Sequence, residues 1–372
     1  MRADFIYNLK IRKSASIIIL GLLLIAGFYF RFQGIRTRGL EYDEIWTYIY
    51  YCPKDLHGIL TELSTPNNHP LNTLAIKLTK PIMGANPFSM RFPAFISGIF
   101  FLFLIFNLTK KAFNSRLAAV LALTFAAFNG ALIHFSQTAR GYEMQCLFIM
   151  LFLTGLFYLN GSNESKRKIM WGIITVSGAV LSILTLSTSI LFIVPAIGIY
   201  CVWKSYKQKN IIFLLEKNNR EILVSFTFIA LFSLFWYSIN YHQFIQSKSS
   251  FATHFNTFMY ALKIYAGGLL KLAPLWLYAI LFFLLIRRKS RKLFLICIII
   301  ILFPFISSPF VGLGPPRVYL PLLLILSIAA GVASSELISV LSVRLKSKSI
   351  SWIMASILIG VSYINMHSDI NK

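Results

Sequence analysis

The chain has 372 residues, 57% of them hydrophobic and only 13% charged, with a mean hydropathy of +0.71. Soluble proteins carry about 25% charged residues, so a soluble globular protein is excluded. The 36 Lys and Arg outnumber the 12 Asp and Glu for a formal charge of +24. They fall in short clusters between long apolar runs, which excludes a groove-facing basic stripe for DNA or RNA and marks a polytopic membrane protein.

A hydrocarbon core of about 30 Å takes about 20 mostly apolar residues of helix. Runs of this kind predict eleven spans, near 14–31, 92–109, 116–135, 142–160, 168–186, 187–203, 221–240, 270–286, 292–308, 317–338 and 349–366. The predicted fold is all-α and integral to the membrane, a single domain over 1–372. The first run has the basic start of a signal peptide. It is followed by bulky Phe28-Tyr29-Phe30-Arg31 and no small-residue cleavage site, so it reads as a retained helix. With the N-terminus inside, 23 of the 36 basic residues fall on the cytoplasmic side in six short segments, including Lys110, Lys111, Lys166–Lys168 and Lys204–Lys209. This predicts a multi-pass protein of the inner membrane, N-terminus in and C-terminus out. Cys146, Cys201 and Cys297 lie in spans and Cys52 alone in an outer loop, so neither a disulfide nor a metal spacing is expected.

Two outer loops are too long to be simple connectors: residues 31–91 and 241–269. The first carries Ile45, Trp46, Tyr48, Ile49, Tyr50 and Tyr51, then Leu71, Leu74, Ala75, Leu78 and Ile82 at helical spacing. It is expected to form helices lying in the outer interface, a structured cap on the bundle. No internal repeat of the kind that marks secondary transporters is seen, and a soluble C-terminal domain is not expected after the last span.

The scarce polar residues of the outer side carry the chemistry. Glu41-Tyr42-Asp43-Glu44 follows the first span by about ten residues; Asp43 could cap a helix or serve as a general base, and both roles can coexist. Thr65-Pro66-Asn67-Asn68-His69-Pro70-Leu71 is a turn opening a helix with Pro near its first position. The hairpin His134–Glu143 holds Ser136, Gln137, Arg140 and Tyr142, with Arg140 at the membrane boundary, where a cation is costly without a partner. Gly314-Pro315-Pro316-Arg317-Val318-Tyr319-Leu320-Pro321 places another arginine at the outer boundary beside a tyrosine, and a guanidinium fork suits phosphate oxygens.

Taken in order, the Asp-Glu pair, His-Pro-Leu, Arg91-Phe92-Pro93, Ser-Gln-x-x-Arg-x-Tyr and Pro-Arg-x-Tyr-x-x-Pro resemble the GT-C membrane glycosyltransferases over roughly residues 14–340. The nearest branch looks like the bacterial relatives of protein O-mannosyltransferases and lipid A aminoarabinose transferases. One proline, Pro70, follows His69 where the family often has two, and Arg140-Gly141-Tyr142 stands where it often has Arg-Pro-Tyr.

The resemblance implies a GT-C-like bundle and a polyprenyl-phosphate sugar as donor, with a lipid, glycan or protein as acceptor. The active site would face outward. Asp43 would be the base, with Glu44 positioning the acceptor or sharing that work. Arg140 and Arg317 would hold the leaving phosphate, with His69, Tyr142, Gln137 and Tyr319 around the substrate. One carboxylate base with direct displacement implies inversion at the anomeric carbon. A divalent metal is left open: Asp43, Glu44, His69 and His242 offer oxygen and imidazole ligands, but no spacing compels one. The competing readings are a transporter or flippase of a lipid-linked saccharide, and an inactive membrane-embedded partner subunit.

Overall fold

The computed structural model describes residues 13–63, 67–161, 164–210, 212–216, 219–243, 258–281, 284, 291–307, 314–345 and 348–370. Thr65 and Pro66, the basic residues before Lys13 and at 287–289, and residues 244–257 of the second outer loop lie outside them. All regular structure among the described residues is helical. The sequence dictates this: the spans are apolar nearly all round, and in lipid a lone segment satisfies its backbone only as a helix.

The helices are α1 (Lys13–Phe32), α2 (Tyr42–Trp46), α3 (Leu56–Thr61), α4 (Pro70–Met83), α5 (Pro87–Phe113), α6 (Arg116–Ala127), α7 (Gly130–Ser136) and α8 (Tyr142–Gly161). They continue with α9 (Ser165–Thr185), α10 (Ile190–Gln208), α11 (Arg220–Ile239), α12 (Phe258–Leu272), α13 (Leu275–Leu281), α14 (Arg291–Ile306), α15 (Leu322–Arg344) and α16 (Lys348–Ile370). Six helices are long and apolar enough to cross a membrane, and α6 with α7 makes a seventh span bent by 61°. Shorter apolar stretches, Ser16–Phe32 in α1 and Ile353–Ile364 in α16, fall where the first and last spans are expected. Eleven full spans are therefore not reached among the described residues, and 270–286 and 292–308 are only partly described. The chain is a multi-pass membrane protein.

Burial grades across the bundle. The most apolar window of α15 is 78% buried and that of α5 is 61% buried, whereas α11 keeps only 28% buried and turns its remaining apolar surface outward. Small residues let the central helices touch by backbone, as membrane interfaces favour. A Cβ on Gly331 of α15 would lie 2.6 Å from Ala118 O and Ala122 N of α6. A Cβ on Gly178 of α9 would run into Phe152 N of α8. Overpacking typically costs about 1–3 kcal/mol, and here backbone would have to move, so Gly331→Val should lie at or beyond the top of that range. A lowered thermal midpoint in detergent, already present in Gly331→Ala because the Cβ alone makes the clash, would report it.

The break between α6 and α7 positions the site. Asn129 caps α7 by accepting the Leu132 N–H at 3.0 Å. Arg31, fully buried at the end of α1, donates to Ala126 O and Ala127 O, each at 3.2 Å. The carbonyls freed by the bend thus find a cation, which is how a broken helix is tolerated inside a bundle. The bend carries α7 to the turn at 137–141, beneath the helices of the first outer loop. There α4 buries Asn72, Thr73 and Ile76 and leaves Leu78 (69%) and Ile82 (81%) exposed. The second span begins earlier than expected: α5 starts at Pro87, so Arg91 lies inside a helix and is fully buried.

Candidate active site

Helix α2 is one turn and a half long. Glu41, not Asp43, occupies its N-cap, with Asp43 and Glu44 in the first turn at the positive end of the helix. Successive helical positions point about 100° apart, and this separates the two acids. Glu44 points inward and is fully buried, while Asp43 stays 26% exposed towards the site.

Glu44 is completely engaged. Its Oε1 accepts from Arg91 Nε at 2.8 Å and from Ala139 N at 2.6 Å. Its Oε2 accepts from Arg91 NH2 at 2.7 Å and from Glu41 N at 2.8 Å. Arg91 spends its remaining protons on Ile35 O (3.1 Å), Arg38 O (2.9 Å) and Gly39 O (2.8 Å). One buried ion pair thereby joins α5, the loop after α1, α2 and the 137–141 turn. Burial alone would raise the Glu44 pKa, but hydrogen bonds from Arg91 and the Glu41 and Ala139 amides, with the Arg91 charge, hold it below the ordinary value.

Two consequences are testable. Removing Arg91 leaves a carboxylate buried without its cation, which costs about 3–5 kcal/mol; Arg91→Ala should unfold the first outer loop, read as protease sensitivity confined to 33–69. A native pKa below the unfolded value gives stabilisation that is full above about pH 4.3, the ordinary Glu value, and lost as pH falls through the lowered native value. Amide exchange at Ala139 and Glu41 should accelerate over that acid window and not at neutral pH.

Asp43 is where the expected residues meet. Its Oδ2 lies 3.6 Å from Arg140 NH2 and 3.6 Å from Arg317 NH2. The three come from α2, from the turn before α8, and from the 3₁₀ turn Pro316–Tyr319, segments far apart in the chain. Arg140 is 3% exposed and Arg317 39%, so one guanidinium is built into the wall and the other reaches it from the rim.

The wall is specified by His69 and Gly141. Arg140 NH1 donates to Asn67 O at 3.0 Å, and its NH2 lies 3.4 Å from His69 Nε2. His69 itself is 2% exposed and accepts the Gly141 N–H at Nδ1, at 2.6 Å. Proline at 141 would lack that N–H, and any Cβ there would come within 2.9 Å of His69 Nδ1 and 2.8 Å of Thr185 Cγ2. Arg-Gly-Tyr and His69 therefore fit one another as a set. Gly141→Pro should cost this bond and displace Arg140; a fall in donor affinity on monodisperse protein is the readout.

The other expected residues serve as framework. Tyr142 is 2% exposed and packs edge-on against His69 with ring centroids 4.8 Å apart, with the Arg140 guanidinium 5.8 Å from its ring. Gln137 donates to Phe30 O (2.6 Å) and Gln33 O (2.8 Å), tying the turn to the end of α1. Tyr319 accepts the Gly314 N–H at 3.1 Å and packs on Tyr265, which braces the turn that carries Arg317. Burial pushes its phenol up to about 12, against a smaller downward pull from the Gly314 hydrogen bond, so it stays neutral. His242 lies exposed just beyond α11.

Three of the four candidate metal ligands have other partners. Among the described residues no three His, Cys, Asp or Glu gather as a metal cluster. Asp43 faces two cations, Glu44 is committed to Arg91, and His69 Nδ1 is occupied by a backbone N–H. Sequence reasoning took Arg91 only as a motif residue at the start of a span and missed its partner; the one clue was a cation beside a long apolar run.

Residues 66–237 match the family model described as dolichyl-phosphate-mannose-protein mannosyltransferase. No curated protein matches the chain. Among solved structures, ArnT from Cupriavidus metallidurans in the apo state aligns with a TM-score of 0.55 at 14% identity, over 86% of this chain and 59% of that one. The same protein bound to undecaprenyl phosphate gives 0.51 at 14%, over 87% and 60%. The Archaeoglobus fulgidus oligosaccharyltransferase in its apo form gives 0.58 at 10%, over 96% and 56%. The chain thus spans somewhat under two thirds of the length of these proteins, and it shares with them the GT-C fold that its motifs resemble.

Proposed function

We propose that this GT-C-fold protein is an inverting glycosyltransferase that moves a sugar from a polyprenyl phosphate to an acceptor hydroxyl on the outer face of the inner membrane. The observation that supports this most is the meeting of one partly exposed carboxylate with two arginines from distant segments. The undecaprenyl phosphate bound to the similar ArnT structure agrees with a lipid-phosphate donor.

Asp43 takes the proton of the acceptor hydroxyl as its oxygen attacks the anomeric carbon. The new bond forms from the acceptor oxygen to that carbon, and the bond from the carbon to the phosphate oxygen breaks. The electron pair leaves with the lipid phosphate, a weak base that needs no general acid. Arg140 and Arg317 stabilise the charge that develops there. Glu44 and Arg91 act as positioning residues, holding α2 against the 137–141 turn. Among the described residues Asp43 is the carboxylate that meets both arginines, and direct displacement with this one base inverts the configuration.

Purified protein given a labelled polyprenyl-phosphate sugar should release lipid phosphate; a transporter would move the label across the bilayer with that bond intact. The outward orientation is tested separately. Cys52 is buried, so a cysteine placed at Leu56, 58% exposed, is the outer probe. It should react with an impermeant reagent in cells whose outer barrier is opened, while one at Lys166 should need broken cells.

A further inference from the structure

The first outer loop carries an aromatic ladder beside the base. Tyr42 and Trp46 stack with ring centroids 6.1 Å apart and planes at 28°, and Trp46 and Tyr50 follow at 5.2 Å and 25°. Residues Thr47–Tyr51 form a π-helical turn, a rare geometry frequent at functional sites. One end of the ladder is closed: Lys54 Nζ sits 3.9 Å from the centre of the Tyr50 ring, and buried Tyr51 packs edge-on against it. The other end is open, with Tyr42 72% exposed. Asp43 is three positions before Trp46, and residues at that spacing are neighbours on a helix surface.

The geometry points to the open face of Tyr42, backed by Trp46, as a stacking platform for a saccharide acceptor, which presents its hydroxyl to Asp43. This rests on the glycosyl-transfer reading and names the acceptor class for it. The C–H face of a pyranose is apolar and faintly positive, and an aromatic face is negative. Such a platform is tolerant of sequence, as base-stacking rings are in single-strand binders, and suits a growing glycan. A ring held by stacking keeps its place without a ligand, so little ordering remains for binding to supply. Lipid insertion suits the ladder less well, because Asp43 and Lys54 bracket it with charge at both ends. Exposed Ile45 and Ile49 form a separate line along the same helix. A peptide acceptor that adds to a sheet edge has none to add to among the described residues.

The test uses the full chain in lipid nanodiscs without donor, with cellohexaose, chitohexaose and an α-1,6-linked mannohexaose as probes. Saturation-transfer NMR, irradiating aromatic protons, should light up ring C–H protons of at least one hexasaccharide. Losing one stacking ring should weaken binding about 5- to 150-fold, on the scale of base stacking, in Tyr42→Ala and in Trp46→Ala, while Tyr42→Phe retains it. Tyr42 is exposed, so its substitution leaves the fold intact. Ile49→Ala, on the separate exposed line, should bind like wild type, and reading binding without donor separates a failed platform from a failed reaction. Transfer to none of the three sugars, equal transfer in Tyr42→Ala, or preferential transfer to a Ser/Thr peptide would overturn the proposal.

Discussion

Asp43→Asn should express and fold normally, bind donor at least as tightly because the two arginines no longer pair with a carboxylate, and yet turn over about 10²–10⁴-fold more slowly, the usual contribution of a general base. The substitution keeps the size and geometry of the side chain. Asp43 is not the cap of α2, since Glu41 holds that position, so helix formation does not depend on its charge. It also contributes nothing to the buried pair that secures the loop, which belongs to Glu44 and Arg91. The decisive comparison is single-turnover transfer on monodisperse protein against thermal stability. Wild-type transfer by the Asn variant would remove Asp43 from the chemistry.

Arg140→Ala should slow transfer by about 10²–10³-fold, the scale for losing one preorganised donor to developing charge. Arg140→Lys should fall between wild type and Ala, because an ammonium keeps the charge and loses the planar fork. Arg317→Ala is expected to act chiefly on donor affinity, because its rim position leaves it 39% exposed. If Arg140→Ala binds and turns over lipid-linked sugar like wild type, the phosphate contact must be made elsewhere on the outer face.

The parts of the site legible in the sequence are those where a charge is conspicuous. In a chain with twelve acids and long apolar runs, the acidic cluster holding Asp43 and the boundary residues Arg140 and Arg317 are conspicuous, and the structure brings each arginine to 3.6 Å from Asp43. The resemblance implies Asp43 as the base, with Glu44 positioning the acceptor or sharing that work; that Glu44 instead pairs with Arg91 depends on which side of α2 meets α5, a tertiary fact. Gln137 looked like a substrate donor because a short turn has little need of its amide; that need comes from the carbonyls at the end of α1. The bend after Ala127 was masked by an apolar run of the right length, although Asn129-Gly130 is a turn signal inside it. The π-helical turn has no sequence signature that hydropathy reveals.

One carboxylate oxygen shared between two guanidinium groups also sets a timetable. Before any lipid arrives, Asp43 is the anion that Arg140 and Arg317 hold, and its carboxylate oxygen is turned to their guanidinium groups rather than to an acceptor hydroxyl. An incoming phosphate competes for the same two cations and, by winning them, releases the carboxylate. The acceptor therefore meets a competent base only after the donor has docked. Acceptor seated on the Tyr42 platform before donor arrives should therefore stay unreacted, and donor added to that complex should restore single-turnover transfer.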